Sequence, residues 1–167
     1  MQLPRGHCRN GFAIARRAAE KALEAVGTVL YVGYVPAVSG TVASVPGVLL
    51  FWMYRGRVLP FSILAIALFV VGSFAARHLA RKTQDADPKC VVIDELVGMM
   101  AAVALLEWSW TTAIGAFVTF RFFDIVKPFP ARALEQIGGG LGIMLDDIVA
   151  AAYTCVIVRL TVALLSG

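Results

Sequence analysis

The sequence predicts an all-α fold: an integral membrane bundle of about five apolar helices, preceded by an N-terminal amphipathic helix. Three observations carry this. Of the 167 residues, 59% are hydrophobic and only 16% charged, and the mean hydropathy is +0.79. A soluble domain is about 45–50% apolar and about 25% charged, so the surplus apolar surface needs lipid to face. The apolar residues also gather into five separate stretches. Finally, the basic residues fall unequally on the two sides that those stretches define.

The first segment, Arg9 to Ala25, sets Phe12, Ile14 and Leu23 among Arg16, Arg17, Glu20, Lys21 and Glu24. That spacing suits a surface helix. It fits a basic helix resting on anionic lipid and equally a solvated helix packed on the domain. Residues 27–40 are apolar but broken by Gly33, Pro36, Ser39 and Gly40, which reads as loop. Residues 1–32 therefore form an N-terminal segment, and residues 33–167 the membrane-embedded domain. Residues 1–33 show no compact apolar core followed by a small-residue cleavage site, so they read as mature protein.

The five stretches are Val42–Tyr54, Val58–Ala76, Val91–Leu106, Trp110–Val126 and Ile148–Leu165. A spanning helix needs about 20 residues; the second and fifth approach this and the first is short. If all five alternate across a membrane, one side collects Arg5, Arg9, Arg16, Arg17, Lys21, Arg77, Arg81, Lys82, Lys89, Arg121, Lys127 and Arg132, and the other only Arg55 and Arg57. Such a bias marks the first side as cytoplasmic. Asp85, Asp87, Asp94, Glu95, Asp124, Glu135, Asp146 and Asp147 fall at the same ends, with Glu107 opposite.

Three carboxylate groups follow. Asp87-Pro88 reads as an N-cap and first helical position, which would set Asp94 and Glu95 about 10 Å further along a helix. Acids at that depth are costly unless partnered; they are either a structural ion pair or helix end, or they face the bundle over Gly98, Ala101 and Ala102. Arg121, Asp124 and Lys127 recur every three residues, so they share a helical face. They form either a self-satisfied ladder or a phosphate-binding set. Gly138-Gly139-Gly140-Leu141-Gly142 precedes Asp146-Asp147; the acids are helix caps or ligands, and the run lacks the Lys-Ser/Thr that ends a P-loop.

Several carboxylates brought together repel one another, and a divalent cation resolves that. Oxygen donors without His or Cys select Mg2+ over zinc, and acids with Arg and Lys around Mg2+ suit phosphate ester cleavage. Asp94, Glu95, Asp124, Asp146 and Asp147 are therefore expected to converge on one Mg2+ site. Arg121 and Lys127, with Thr41 and Ser44 at the start of the first stretch, are expected to bind phosphate. The three cysteines, Cys8, Cys90 and Cys155, form neither CxxC nor Cys-x5-Arg, which argues against a zinc site, a disulfide framework or a cysteine phosphatase. His7 and His78 lie outside the acid groups. Despite a net charge of +4, no nucleic-acid-binding motif or long basic run appears.

With these residues in order, the chain resembles the phosphatidylglycerophosphatase A family. The elements are Gly40-Thr41-Val42-Ala43-Ser44, then Asp87-Pro88 through Asp94-Glu95 to Gly98, then Arg121, Asp124 and Lys127-Pro128-Phe129-Pro130, and finally Gly139 to Asp147. The resemblance covers roughly residues 33–154. Ser39, Ala131 and Ala151 depart from the family pattern at packing positions, and no ionisable motif residue is lost. It implies Mg2+-dependent hydrolysis of phosphatidylglycerophosphate to phosphatidylglycerol and phosphate at the bacterial inner membrane, with the active site facing the cytoplasm. Catalysis would rest on Asp94, Glu95, Asp124 and Asp147. Water activated by metal and an aspartyl-phosphate both fit as the route. The motifs of other lipid phosphatases and of phosphatidyl transferases are absent. Two other classes stay open at this point: a transporter using these carboxylates as ion ligands, and a non-catalytic lipid-binding subunit.

Overall fold

The structure, a computed structural model, describes residues 6–36, 38–135 and 137–166, with side chains from Ile14 to Leu165 apart from Ala37, Glu135 and Gln136. Arg5 lies outside the described residues, and Arg9 and Glu135 are described by backbone alone. Among the described residues the chain is all-helical, without strands. Its helices are α1 (Gly6–Gly27), α2 (Ser39–Met53), α3 (Val58–Thr83), α4 (Ile93–Val103), α5 (Trp110–Val126), α6 (Ala131–Glu135) and α7 (Gly139–Ser166), with a 3-10 turn at Val32–Tyr34.

α4 is the hub. It packs against α2, α3, α5 and α7, and α7 also packs on α3, α5 and α6. Ile93, Leu96, Val97, Met99, Met100, Ala102 and Val103 are all buried, as the apolar residues of a helix packed on several sides must be. Close approach depends on glycine. A Cβ on Gly98 would lie 2.7 Å from Phe120 Cζ and 3.0 Å from Asp147 Cβ, and one on Gly47 would lie 3.0 Å from Met99 Cβ. A Cβ on Gly140 would strike the Ser73 carbonyl, so Gly140 serves α7–α3 packing, whereas Gly138 and Gly139 face open space with positive φ.

Helix ends explain where the acids fall. Asp87-Pro88 does not open a helix as expected. The Val91 N–H closes a turn onto the Pro88 carbonyl (2.8 Å), the Val92 N–H donates to the Gly27 carbonyl (3.0 Å), and α4 begins at Ile93. Asp94 and Glu95 consequently sit in its first turn, where the helix dipole favours negative charge. α7 starts at Gly139, so Asp146 and Asp147 lie two turns inside it. α5 is capped by Ser109, which accepts from Thr112 N–H (2.9 Å). It ends with Lys127 in the left-handed region (φ 45°), ahead of Pro128.

Helices occupy the positions of the five apolar stretches, but among the described residues only two are long and apolar enough to cross a membrane. At 26 and 28 residues, α3 and α7 reach about 39 and 42 Å, beyond the ~30 Å hydrocarbon core. α2, α4 and α5 hold 15, 11 and 17 residues and fall short of it. Ile63, Ile66, Val70 and Phe74 of α3 and Val156, Ile157, Leu160 and Leu164 of α7 point outward. So large an apolar exterior suits helices turned toward lipid.

Candidate active site

Three helices bring the acids together. Asp94 and Glu95 come from the first turn of α4, and Asp147 from the face of α7 that meets Gly98. One carboxylate oxygen from each lies within 4.8 Å of the other two. Asp94 Oδ1, Glu95 Oε2 and Asp147 Oδ2 are buried without a hydrogen-bond partner among the described residues. Asp124, from the end of α5, is a near neighbour of both Glu95 and Asp147.

Two cations border the cluster. Arg121 Nη1 lies 2.6 Å from Asp124 Oδ2, one turn apart on α5. Lys127 leaves the ladder that its spacing implies: beyond the helix end, its Nζ donates to Asp146 Oδ2 at 2.6 Å, tying α5 to α7. Asp146 Oδ1 also accepts from the Asp147 N–H (2.9 Å). Asp146 is therefore linked to a cation, while Asp94, Glu95 and Asp147 are held as a trio of acids.

The start of α2 closes one wall. A Cβ on Gly40 would strike Glu95 Oε1 and lie 3.2 Å from Arg121 Nη1, so only glycine lets α2 come this near. The acids open into a polar cavity of about 690 Å³, whose wall includes Thr41, Lys89, Asp94, Glu95, Arg121, Asp124, Lys127 and Asp146. Ser44 is placed outside that wall: it is fully buried, and its hydroxyl donates to the Gly40 carbonyl at 2.9 Å.

Tyr34 and Lys89 also line the cavity, and neither stood out in the sequence. Tyr34 belongs to a short turn without periodicity. Lys89 lies inside the Asp-Pro element, where its acidic neighbours dominate the pattern. Tyr34 is fixed from behind: its hydroxyl donates to Glu24 Oε1 (2.6 Å), whose other oxygen accepts from Lys82 Nζ (2.7 Å). The Lys82 and Tyr34 hydrogen bonds hold the Glu24 carboxyl below its usual range, and the same bond from Glu24 pushes the Tyr34 hydroxyl up to about 12.

The donor set fits a hard divalent cation. Three ionised carboxylates with an oxygen each within 4.8 Å of the other two, and a buried unpartnered oxygen each among the described residues, repel one another unless a positive charge lies between them. All-oxygen ligation without His or Cys is the preference of Mg2+.

A profile of the family described as phosphatidylglycerophosphatase A matches residues 25–162. A Bacteroides thetaiotaomicron protein, provisionally named phosphatidylinositol-3-phosphatase, is 34% identical over 143 residues, covering 80% of this chain and 89% of that protein. Proteins named phosphatidylglycerophosphatase A from Haemophilus influenzae and Escherichia coli are 39% and 33% identical. Those matches cover 59% and 70% of this chain, and 61% and 67% of the relatives. No solved structure matches the chain.

Proposed function

The chain belongs to the phosphatidylglycerophosphatase A family, whose members are phosphoric monoester hydrolases, and from that membership we propose that it hydrolyses phosphatidylglycerophosphate to phosphatidylglycerol and phosphate. The observation that carries this reading is the convergence of three unpartnered carboxylate oxygens beside Arg121 and Lys127 in one polar cavity.

Asp94, Glu95 and Asp147 would hold Mg2+, with Asp124 and Asp146 around them. Bound there, the ion supplies positive charge that relieves the repulsion among the acids and polarises the phosphoryl group. The chain's own residues do the rest. Arg121 and Lys127 face the phosphate oxygens as donors, and the exposed Thr41 hydroxyl adds one from α2. Hydrolysis breaks the bond between phosphorus and the glycerol oxygen and forms one to water oxygen. The water's proton ends on the departing glycerol oxygen, and the neighbouring carboxylates, Asp124 first among them, are placed to carry it. Ser44 contributes by holding the first turn of α2, so that Thr41 and Gly40 keep their places.

The reading extends to location. α3 and α7 would cross the bacterial inner membrane, with the shorter α2, α4 and α5 completing a five-helix apolar bundle. The site would open at the cytoplasmic face, which the basic residues of the α3 end and of the segment after α5 support. A transporter using these carboxylates as ion ligands is less well supported: its acids belong near the midplane, whereas these gather at helix ends.

Phosphate release by the purified protein in mixed micelles tests the proposal, with phosphatidylglycerophosphate and phosphatidylinositol 3-phosphate compared because one relative is named for the latter. Release from phosphatidylglycerophosphate should stop with a chelator and return with Mg2+. Protein that is folded and supplied with Mg2+ but releases no phosphate from phosphatidylglycerophosphate would sink the reading; preference for the inositol lipid would reassign the substrate.

A further inference from the structure

Among the described residues three cations line the cavity wall: Lys89, Arg121 and Lys127. Two are engaged with acids of the site, Arg121 with Asp124 and Lys127 with Asp146, both at 2.6 Å. Lys89 has no ion pair among the described residues, not even with Asp85 or Asp87 beside it in sequence. Its backbone is nevertheless fixed. Pro88 is buried, the Val91 N–H bonds back to the Pro88 carbonyl, and Gly33 packs so tightly on the Cys90 carbonyl that a Cβ there would strike it. An exposed lysine on a pinned turn, facing a cavity and lacking a partner, offers a positive charge at a set place.

The cavity is also too large for one phosphate. About 690 Å³ lies within the range of sites that hold an entire small ligand, about 300–1,000 Å³. A lipid whose head group ends in a phosphomonoester carries a second phosphate, the diester that joins the head group to the glycerolipid. That diester is anionic, and the acid trio repels it unless a separate cation receives it.

We propose that the cavity recognises both phosphates of such a head group, with Lys89 binding the phosphodiester while Arg121 and Lys127 hold the phosphomonoester. The assignment rests on the phosphatase reading above and adds specificity to it. Lys89 distinguishes lipids with two phosphates from those, such as phosphatidic acid, that carry the monoester alone. It is a binding residue rather than a catalytic one, because no ion pair among the described residues joins it to the acid cluster.

The test compares wild type, Lys89→Gln and Lys89→Arg on phosphatidylglycerophosphate and phosphatidic acid. Lys89→Gln should raise KM for the two-phosphate lipid about tenfold, the size expected for one charge-assisted hydrogen bond, with kcat kept and phosphatidic acid kinetics unmoved. Lys89→Arg should restore most of the difference. A second arm needs no turnover: with a chelator present, calorimetry measures binding of the deacylated head group, glycerophosphoglycerol phosphate, against glycerol 3-phosphate. Lys89→Gln should weaken the first ligand alone. If wild type binds the head group in this Lys89-dependent way yet releases no phosphate with Mg2+, the phosphatase reading fails while this inference stands. Equal loss on both ligands, or no loss on either, overturns the inference even where hydrolysis is confirmed.

Discussion

Residue by residue, the site is a balance between acids with a cation and acids without one. Asp146 gives up an oxygen to Lys127, whereas Asp94, Glu95 and Asp147 each keep a buried oxygen without a partner. Asp147→Asn removes a charge from the trio at nearly constant shape. Its rate should fall at least ~10²-fold, about 3 kcal/mol in the barrier, and a higher Mg2+ concentration should recover part of it; normal activity at ordinary Mg2+ would remove Asp147 from the site. Gly40→Ala tests the same geometry from α2, because the added Cβ must displace Glu95 or Arg121. Activity should drop while the melting temperature changes little, and an unaffected rate would show that α2 does not form the wall. The meeting of Asp94, Glu95 and Asp147 was legible from the sequence, since span counting puts them at one end. The partners were not. Lys127 and Asp146 sit 19 positions apart, and only the antiparallel packing of α5 against α7 makes them meet.

At the scale of elements, the apolar stretches located the helices and the starts of α3 and α5, at Val58 and Trp110, but missed that of α7, which begins at Gly139 rather than Ile148. Trp110–Val126 is helical over the expected span, because Ser109 and Pro128 mark both ends in sequence. Asp87-Pro88 misleads for a tertiary reason: the N–H groups that a helix would use are taken by the Pro88 turn and by Gly27 of α1. No local signal announces that competition. α1 itself is held by Glu24, bonded to Lys82 of α3 and to Tyr34 of the cavity wall. Lys82→Met should loosen α1 and raise KM several-fold through Tyr34, and exchanging the charges as Glu24→Lys with Lys82→Glu should restore the wild-type value. Failure of both the loss and the rescue would make the contact incidental. The α4–α5–α7 junction is less forgiving. In Gly98→Ala the new Cβ meets Phe120 at 2.7 Å and Asp147 Cβ at 3.0 Å. Overpacking of this kind costs about 1–3 kcal/mol, so both the melting temperature in detergent and the activity should fall. An unchanged melting temperature would mean that α5 shifts freely and that the junction is looser than its contacts imply.

The whole molecule is polar end to end. α3 and α7 run antiparallel, with Gly140 near the start of α7 seated on Ser73 toward the end of α3. The acid cluster, Arg77, Arg81 and Lys82 therefore share one end of the bundle. The opposite end is aromatic: Trp108 packs on Phe51 (5.1 Å between rings) and on Trp110 (5.5 Å), and Arg55 stands over Trp52. Aromatic rings gather at a membrane interface and basic residues at the cytoplasmic side, which supports the proposed topology, with the two ends at opposite faces of one bilayer. On the proposed topology the substrate head group would reach the cavity from the cytoplasm, with Arg55 and Arg57 outside. Impermeant maleimide on intact cells checks this, in a chain whose own cysteines Cys8, Cys90 and Cys155 are replaced by alanine. Arg57→Cys should be labelled at once. Arg81→Cys, exposed on the α3 end yet on the inner face, should react only after the cells are opened. Labelling in the reverse order would turn the molecule over and move the active site outside. Immediate labelling of both would show that α3 does not cross, and the lipid-facing reading of its apolar surface would fall with it.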